Sequence, residues 1–354
     1  MRVSLWLPVS MCGVLGLSAC GGDDETTATT GAASTTATST TSGTGGAGGE
    51  TSATTATTAT TGTGGAGGGA GGAGGAGGGG ACADLAAGPF DPVVATSALN
   101  GSEDIAFDGK GHIAGKKGSG VVLVDPAGQT TTVGPLAGTV YGLRYLGNGD
   151  LLAALPQAGK LVRMTPAGDV TDFVTGLGTP NGIYPDTQGN VWVTEFGGDA
   201  VVMIAPDLTE TTVASGSVAS SANGVVVDPT GTKLYFTEYQ EGRIRRLDLD
   251  VAGATAVEVA MISGAALDGL VLDACGNVYA VDQGNSRLYR VRLDAAGVAT
   301  MAPELLATFP KNVANAQFGA GPGWDPETLY AAGTPGVVYA VPVGVAGAPV
   351  VLPP

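Results

Sequence analysis

Residues 179–195 read TPNGIYPDTQGNVWVTE, and two later stretches repeat their plan: SANGVVVDPTGTKLYFTE at 221–238 and LDGLVLDACGNVYAVD at 267–282. Each sets Asn or Asp before Gly, runs through apolar residues to an Asp, turns at a Gly, and closes a second apolar run with an acid. Three looser copies complete the series: SEDIAFDGKGHIAG from Ser102, VYGLRYLGNGDLLAA from Val140 and NAQFGAGPGWDPETLYAA from Asn315. The keyed position falls at Glu103, Tyr141, Asn181, Asn223, Asp268 and Asn315, in steps of 38, 40, 42, 45 and 47 residues.

A drifting period near forty is shared by helical solenoids and by β-propellers with four strands per blade. The apolar runs decide between them. They are short, rich in Val, Tyr and Leu, and split by Gly, which excludes amphipathic helices. Six units therefore predict an all-β, six-bladed β-propeller of four-stranded antiparallel blades, with no helix of note. Each later unit follows an outermost strand such as VTDFVTG (170–176) or ELLATF (304–309). The first unit follows PVVATSAL, Pro92 to Leu99, in the same relative place. That segment is expected to pair into the last blade beside GVVYAVPV (336–343) and close the ring.

Upstream of the repeats, MRVSLWLPVSMCGVLGLSAC has one Arg, an apolar run too short to span a bilayer, and small residues before Cys20. Leu17-Ser18-Ala19-Cys20 resembles a bacterial lipobox, which implies cleavage before Cys20 and a lipid on its thiol. An ordinary secretory signal is the alternative. Gly21 in place of Asp after that Cys implies the outer membrane of a bacterial cell envelope. Residues 21–81 are almost wholly Gly, Thr, Ala and Ser, too apolar-poor to offset chain entropy, and are expected to form a disordered tether. A Gly-rich coil of that length spans about 40–45 Å. Residues 82–354 are the folded part, expected to be a monomer.

The formal net charge of −16 becomes one unit more negative once the signal's Arg is removed, and it disfavours nucleic acid and anionic lipid surfaces as partners. With Cys12 and Cys20 assigned to the signal and the anchor, Cys82 and Cys275 remain of the four cysteines. Export favours a disulfide between them, and a free, buried Cys275 is the alternative.

In a propeller the innermost strand of each blade lines the central channel, so residues opening those strands point at one axis from the channel mouth. Glu103, Asn181, Asn223 and Asp268 would offer two carboxylates and two amide carbonyls there. This hard-oxygen set would cancel the charge of a divalent cation, calcium above all. No His or Cys joins it, which argues against zinc or copper. Asn-Gly and Asp-Gly are also common turn formers. Recurrence at the start of each inner strand favours the metal.

The runs EDIAFDGKG, TPNGIYPDTQGNVWVTE, SANGVVVDPTGTKLYFTE and LDGLVLDACGNVYAVD resemble the senescence-marker-protein, gluconolactonase and luciferin-regenerating-enzyme-like propellers. The GSED and ANG runs resemble the related paraoxonase and strictosidine-synthase-like groups. The likeness covers residues 90–345 and implies six blades holding calcium or another divalent ion. That family's acid, two Asn and Asp ligands map onto Glu103, Asn181, Asn223 and Asp268. Two departures stand out. Glu103-Asp104-Ile105 replaces the Glu-Gly-Pro of gluconolactonase-like members, and Thr179 stands where sugar-lactone members often carry Arg.

The single His of the chain, His112, belongs to the turn after the first strand of blade one, on the face opposite the ligands, so a paraoxonase-like histidine base is not expected. Hydrolysis would then rest on the ion and a carboxylate, with Asp268 as general base. Tyr141 and Asn315 are expected at the substrate mouth. Glu195, Glu238 and Asp282, which end the second strands of blades three to five, are expected beside them as a solvated acidic rim favouring neutral or cationic small molecules. Two functions fit: a calcium-dependent hydrolase of lactones or small esters, and a non-catalytic propeller with a structural calcium that binds a ligand or protein.

Overall fold

The computed structural model describes Cys82, residues 84–100 and residues 103–352. The expected signal segment, Cys20 and the expected tether lie outside the described residues. Blade 1 comprises Ala106–Phe107, Ile113–Lys117, Gly120–Val124 and Thr130–Pro135, and blade 2 Leu143–Tyr145, Leu151–Leu155, Lys160–Met164 and Val170–Thr175. Blade 3 holds Pro180–Pro185, Val191–Glu195, Ala200–Ile204 and Glu210–Ser215, and blade 4 Ala222–Val227, Lys233–Glu238, Arg243–Asp248 and Val257–Met261. Blade 5 is Leu267–Leu272, Val278–Asp282, Arg287–Val291 and Glu304–Thr308. Blade 6 is Asn315–Phe318, Thr328–Ala332 and Val338–Pro342, with Val93–Thr96 as its outermost strand. All pairings between named strands are antiparallel, and the helical content among the described residues is two 3₁₀ turns, Pro156–Ala158 and Gly216–Val218.

Burial explains why the strands read differently. Ala222–Val227 and Leu267–Leu272 are buried at every position because neighbouring blades cover both of their faces. Outermost strands such as Thr130–Pro135 and Glu210–Ser215 are exposed at four of six positions and carry Thr and Glu. The core is six apolar clusters, one between each pair of adjacent blades. A ring left open would expose the cluster between blades 6 and 1.

Closure works as the sequence predicts: Val93 pairs Ala340, Val94 pairs Tyr339, and Thr96 pairs Val338. At the same seam Phe107, Trp324 and Tyr330 pack edge to face with centroids 5.2–5.6 Å apart. The Cys82–Cys275 disulfide, its Cα atoms 5.6 Å apart, ties the incoming chain to blade 5. Beyond it, Arg290 Nη2 donates to the Ala86 carbonyl (2.8 Å) and Gly88 N–H to Glu304 Oε1 (3.0 Å).

In blades 1, 3, 4 and 5 the Asp that ends the first run staples the following turn. Asp108, Asp186, Asp228 and Asp273 accept the N–H four residues on at 2.8–2.9 Å. Their second oxygens meet the side chain at that same offset, Asn190 in blade 3, Asn277 in blade 5 and His112 in blade 1, at 2.8–2.9 Å. His112 is thus a turn staple on the face away from the keyed residues.

Candidate functional site

The keyed residues of blades 3, 4 and 5 sit in β-bulges. Pairing between the first and second strands shifts register between Pro180 and Ile183, between Ala222 and Val225, and between Leu267 and Leu270. A bulge leaves a residue out of the ladder and re-aims its side chain, here at the axis. The Gly that follows each of these three answers to crowding. A Cβ on Gly182 would lie 2.3 Å from the Asn223 carbonyl oxygen, and one on Gly224 would lie 2.4 Å from that of Asp268. Neighbouring blades therefore touch backbone to backbone around the channel.

Second-strand threonines satisfy the groups the bulges free. Thr194 Oγ1 accepts Gly182 N–H at 2.8 Å and donates to the Asn223 carbonyl. Thr237 Oγ1 accepts Gly224 N–H at 2.7 Å and donates to the Asp268 carbonyl at 2.7 Å. Blade 1 departs from the Gly rule. There Asp104 is buried, accepts Leu143 N–H at 3.0 Å, and pairs with the Arg144 guanidinium of blade 2.

Asn181, Asn223, Asp268 and Asn315 are 3%, 2%, 1% and 4% exposed, while Glu103 and Tyr141 are half-buried. The Glu103 charge reaches Asp268. Burial, and then Asp104, pushes the Glu103 carboxyl up to about 7, and burial, then Glu103 and Asp104, raises Asp268 well above the usual carboxylate range. Tyr141 is raised by burial and by these two acids.

Two carboxylates and two carboxamides fit a hard cation. Asn181 Oδ1, Asn223 Oδ1 and Asp268 Oδ1 are buried and find no hydrogen-bond partner among the described residues. A buried acceptor without a donor is costly, and three from successive blades are the kind of oxygen set that a hard cation can satisfy. No three His, Cys, Asp or Glu side chains cluster among the described residues, so any ion here would depend on the amide oxygens.

The acidic rim is a correction. Glu238 and Asp282 are fully buried and Glu195 is half-buried. Glu195 Oε1 accepts Gly178 N–H (2.7 Å), Asp282 Oδ1 accepts Ala266 N–H (3.0 Å), and Glu238 Oε2 accepts from Arg245 Nε (2.9 Å). All three turn back into the protein and hold the entry loops or the next strand. The residues one step later gather beside the keyed residues. Phe196 packs edge to face on Tyr239 at 5.6 Å, and the Tyr239 hydroxyl donates to Gln283 Oε1 at 2.6 Å. Tyr239 is raised by burial and by Asp268 and Glu103, which places it beside the ring. Phe196, Tyr239 and Gln283 share one repeat position, a signal the sequence carried. Strand alternation means a one-residue slip changes the face.

Thr179 and Ser221, which lead into the bulged strands of blades 3 and 4, have φ of 65° and 49°. Left-handed backbone at a β-branched Thr is strained, and such strain concentrates where a site is pre-organised.

Neither a protein-family model nor a curated protein matches the chain. Solved structures do. A gluconolactonase from Xanthomonas campestris is 15% identical over 71% of this chain and 89% of its own, with a TM-score of 0.60. The calcium-binding protein regucalcin from Agrobacterium tumefaciens is 19% identical over 76% of this chain and 99% of its own, also at 0.60. A luciferin-regenerating enzyme is 15% identical over 74% and 99%, at 0.59. At these identities the shared property is the fold, the six-bladed propeller that the repeat predicted.

Proposed function

We propose that the chain is an exported, lipid-anchored hydrolase of neutral lactones or small esters, working with a divalent cation, calcium, held by Glu103, Asn181, Asn223 and Asp268. The observation that carries this is the trio of buried, unpartnered oxygens, Asn181 Oδ1, Asn223 Oδ1 and Asp268 Oδ1. The likeness to a gluconolactonase and to a calcium-binding protein supports the reaction class and the ion. The lipobox-like run ending at Cys20 supports the anchor and an outer-membrane location.

When bound, the cation supplies Lewis-acid chemistry to a substrate carbonyl. The chain supplies the rest. Asp268 takes the proton of the attacking water and returns it to the leaving alkoxide, so the step balances. Phe196 and Tyr239 give an apolar wall for the substrate body and exclude water, and Tyr141 and Asn315 orient its polar end. Preference for a neutral substrate rests on the chain's net charge and on Thr179, which offers no cation to a carboxylate.

A structural ion is the second reading. It is favoured by Asp268 being 1% exposed with its carbonyl fastened by Thr237, as a blade-linking residue would be. A screen of lactones and aryl esters at saturating calcium, wild type against Asp268→Asn, separates the two. The hydrolase reading expects turnover that the variant loses while calcium still raises its melting temperature. Equal rates remove Asp268 from the mechanism, and no turnover in either protein leaves the structural reading.

A further inference from the structure

The channel has a second chamber at the end away from the ring. There the ends of the innermost strands bring Phe107, Tyr145, Tyr184, Val226, Leu272 and Phe318 together to wall a cavity of about 270 Å³. Residues 347–352 of the C-terminal tail line it as well. The tail is pinned across that end of the channel: Ala274 N–H donates to the Ala346 carbonyl (2.8 Å), Ala348 N–H to the Leu272 carbonyl (2.9 Å) and Gly347 N–H to the Pro326 carbonyl (3.2 Å). No other blade carries an equivalent of this tail, so the chamber belongs to the closed ring and not to the repeat.

Gln317, Arg144, Tyr145 and Tyr184 line the chamber, and each can donate a hydrogen bond. Gln317 Nε2 is buried and has no partner among the described residues. Arg144 also lines it, and its hydrogen bonds come from Nη1 alone, to Asp104 and to the Leu143 carbonyl (2.6 Å). Tyr145 and Tyr184 add hydroxyls without a hydrogen bond among the described residues. Asp104 already balances the Arg144 charge, and the molecule is strongly anionic, so a second carboxylate would gain little there. The volume is just below the usual range of about 300–1,000 Å³ for small-molecule sites, which suits a fragment-sized occupant.

We propose that this chamber is a second binding site, taking a small uncharged molecule with one apolar ring and a carbonyl acceptor that meets Gln317 Nε2 and Arg144. It lies on the far side of the ligand ring and needs no cation.

Acetophenone is a suitable probe, since it has the ring and the acceptor but no bond for a hydrolase to cleave. The full mature protein with labelled Leu and Val methyls should show saturable shifts at Val226, Leu272 and Leu352. EDTA should leave those shifts unchanged. Gln317→Leu, close in size but without the donor, should weaken binding about threefold or more, the effect of one lost hydrogen bond. Benzoate should bind more weakly than acetophenone. Absent shifts, shifts abolished by EDTA, an affinity indifferent to Gln317→Leu in a variant that melts like wild type, or tighter binding of benzoate would each overturn the proposal. A failed hydrolysis screen would not touch it.

Discussion

The Thr237 hydroxyl of blade 4 donates to the main-chain carbonyl of Asp268 in blade 5 at 2.7 Å while accepting Gly224 N–H from its own blade. One hydroxyl therefore fixes where the Asp268 carboxyl sits. Thr237→Val keeps the shape and leaves both backbone groups buried and unpaired, at a cost of about 1–3 kcal/mol for each. Chemical denaturation should show that loss, and calcium should bind more weakly. Thr237→Ser should restore most of both. A Val variant as stable as wild type would mean that the two groups find other partners.

Gly182 and Gly224 test the backbone contact around the channel. Adding a methyl places a carbon 2.3 Å or 2.4 Å from a carbonyl of the next blade, and neither oxygen is the end of a flexible side chain. Gly182→Ala and Gly224→Ala should each destabilise by about 1–3 kcal/mol or more, with a calcium affinity reduced alongside. Gly253→Ala, in an open loop with nothing near its Cβ but a φ of 73°, controls for backbone strain without blade contact.

How much of this was legible in one sequence follows from what the repeat encodes. Strand number, blade count and closure by Val93–Thr96 all come from a period of about forty with short apolar runs split by Gly turns. The acids at 195, 238 and 282 were legible as recurring but not as bonded back into the protein, because deciding their face needs the bulge that shifts the register of the strand beside them. Asp104 was hidden because blade 1 breaks the Gly rule and compensates through Arg144, 40 residues away. The chamber was hidden because its floor is a tail that no repeat announces.

The ring's carboxyls set a pH dependence. In metal-free protein Glu103 rises from 4.5 to about 7 through burial and the Asp104 charge, and Asp268 rises with it. The folded state then keeps protons the unfolded chain has released. Stability from these groups is full below the unfolded value near 4.5 and is lost as pH climbs through about 7. With EDTA present, the melting temperature of wild type should fall over that interval more steeply than that of Glu103→Gln. Saturating calcium should reverse the difference, because an ion bound only by the folded state adds stability by mass action. Equal slopes in EDTA would mean the acids are not held apart from solvent.

The disulfide makes a separate prediction. Cys82 and Cys275 are 193 residues apart, and the bridge holds residues 84–90 against blade 5. Cys82→Ser should lower stability by about 2–4 kcal/mol relative to oxidised wild type. Peptide mapping of unreduced protein checks the bond itself, and two free thiols would refute it.

Neighbouring residues Glu238 and Tyr239 decide which side of the second strand serves the mouth. Glu238 is fully buried, bonded to Arg245 at 2.9 Å and near Arg243 at 3.8 Å, so Glu238→Gln removes a charge that two arginines face. Breaking such a pair costs about 3–5 kcal/mol when the partner stays buried; here Arg245 is 13% exposed and Arg243 30%, so the loss should fall below that. Tyr239→Leu removes the ring that packs on Phe196 and the hydroxyl that donates to Gln283, both at the mouth. For a lactone or ester that the protein turns over, Tyr239→Leu should raise KM several-fold with a small change in melting temperature. Glu238→Gln should do the reverse, lowering the melting temperature and leaving KM in place. If Glu238→Gln moved KM while Tyr239→Leu did not, the acid would face the substrate after all, and the strand would have to be read one residue out of step.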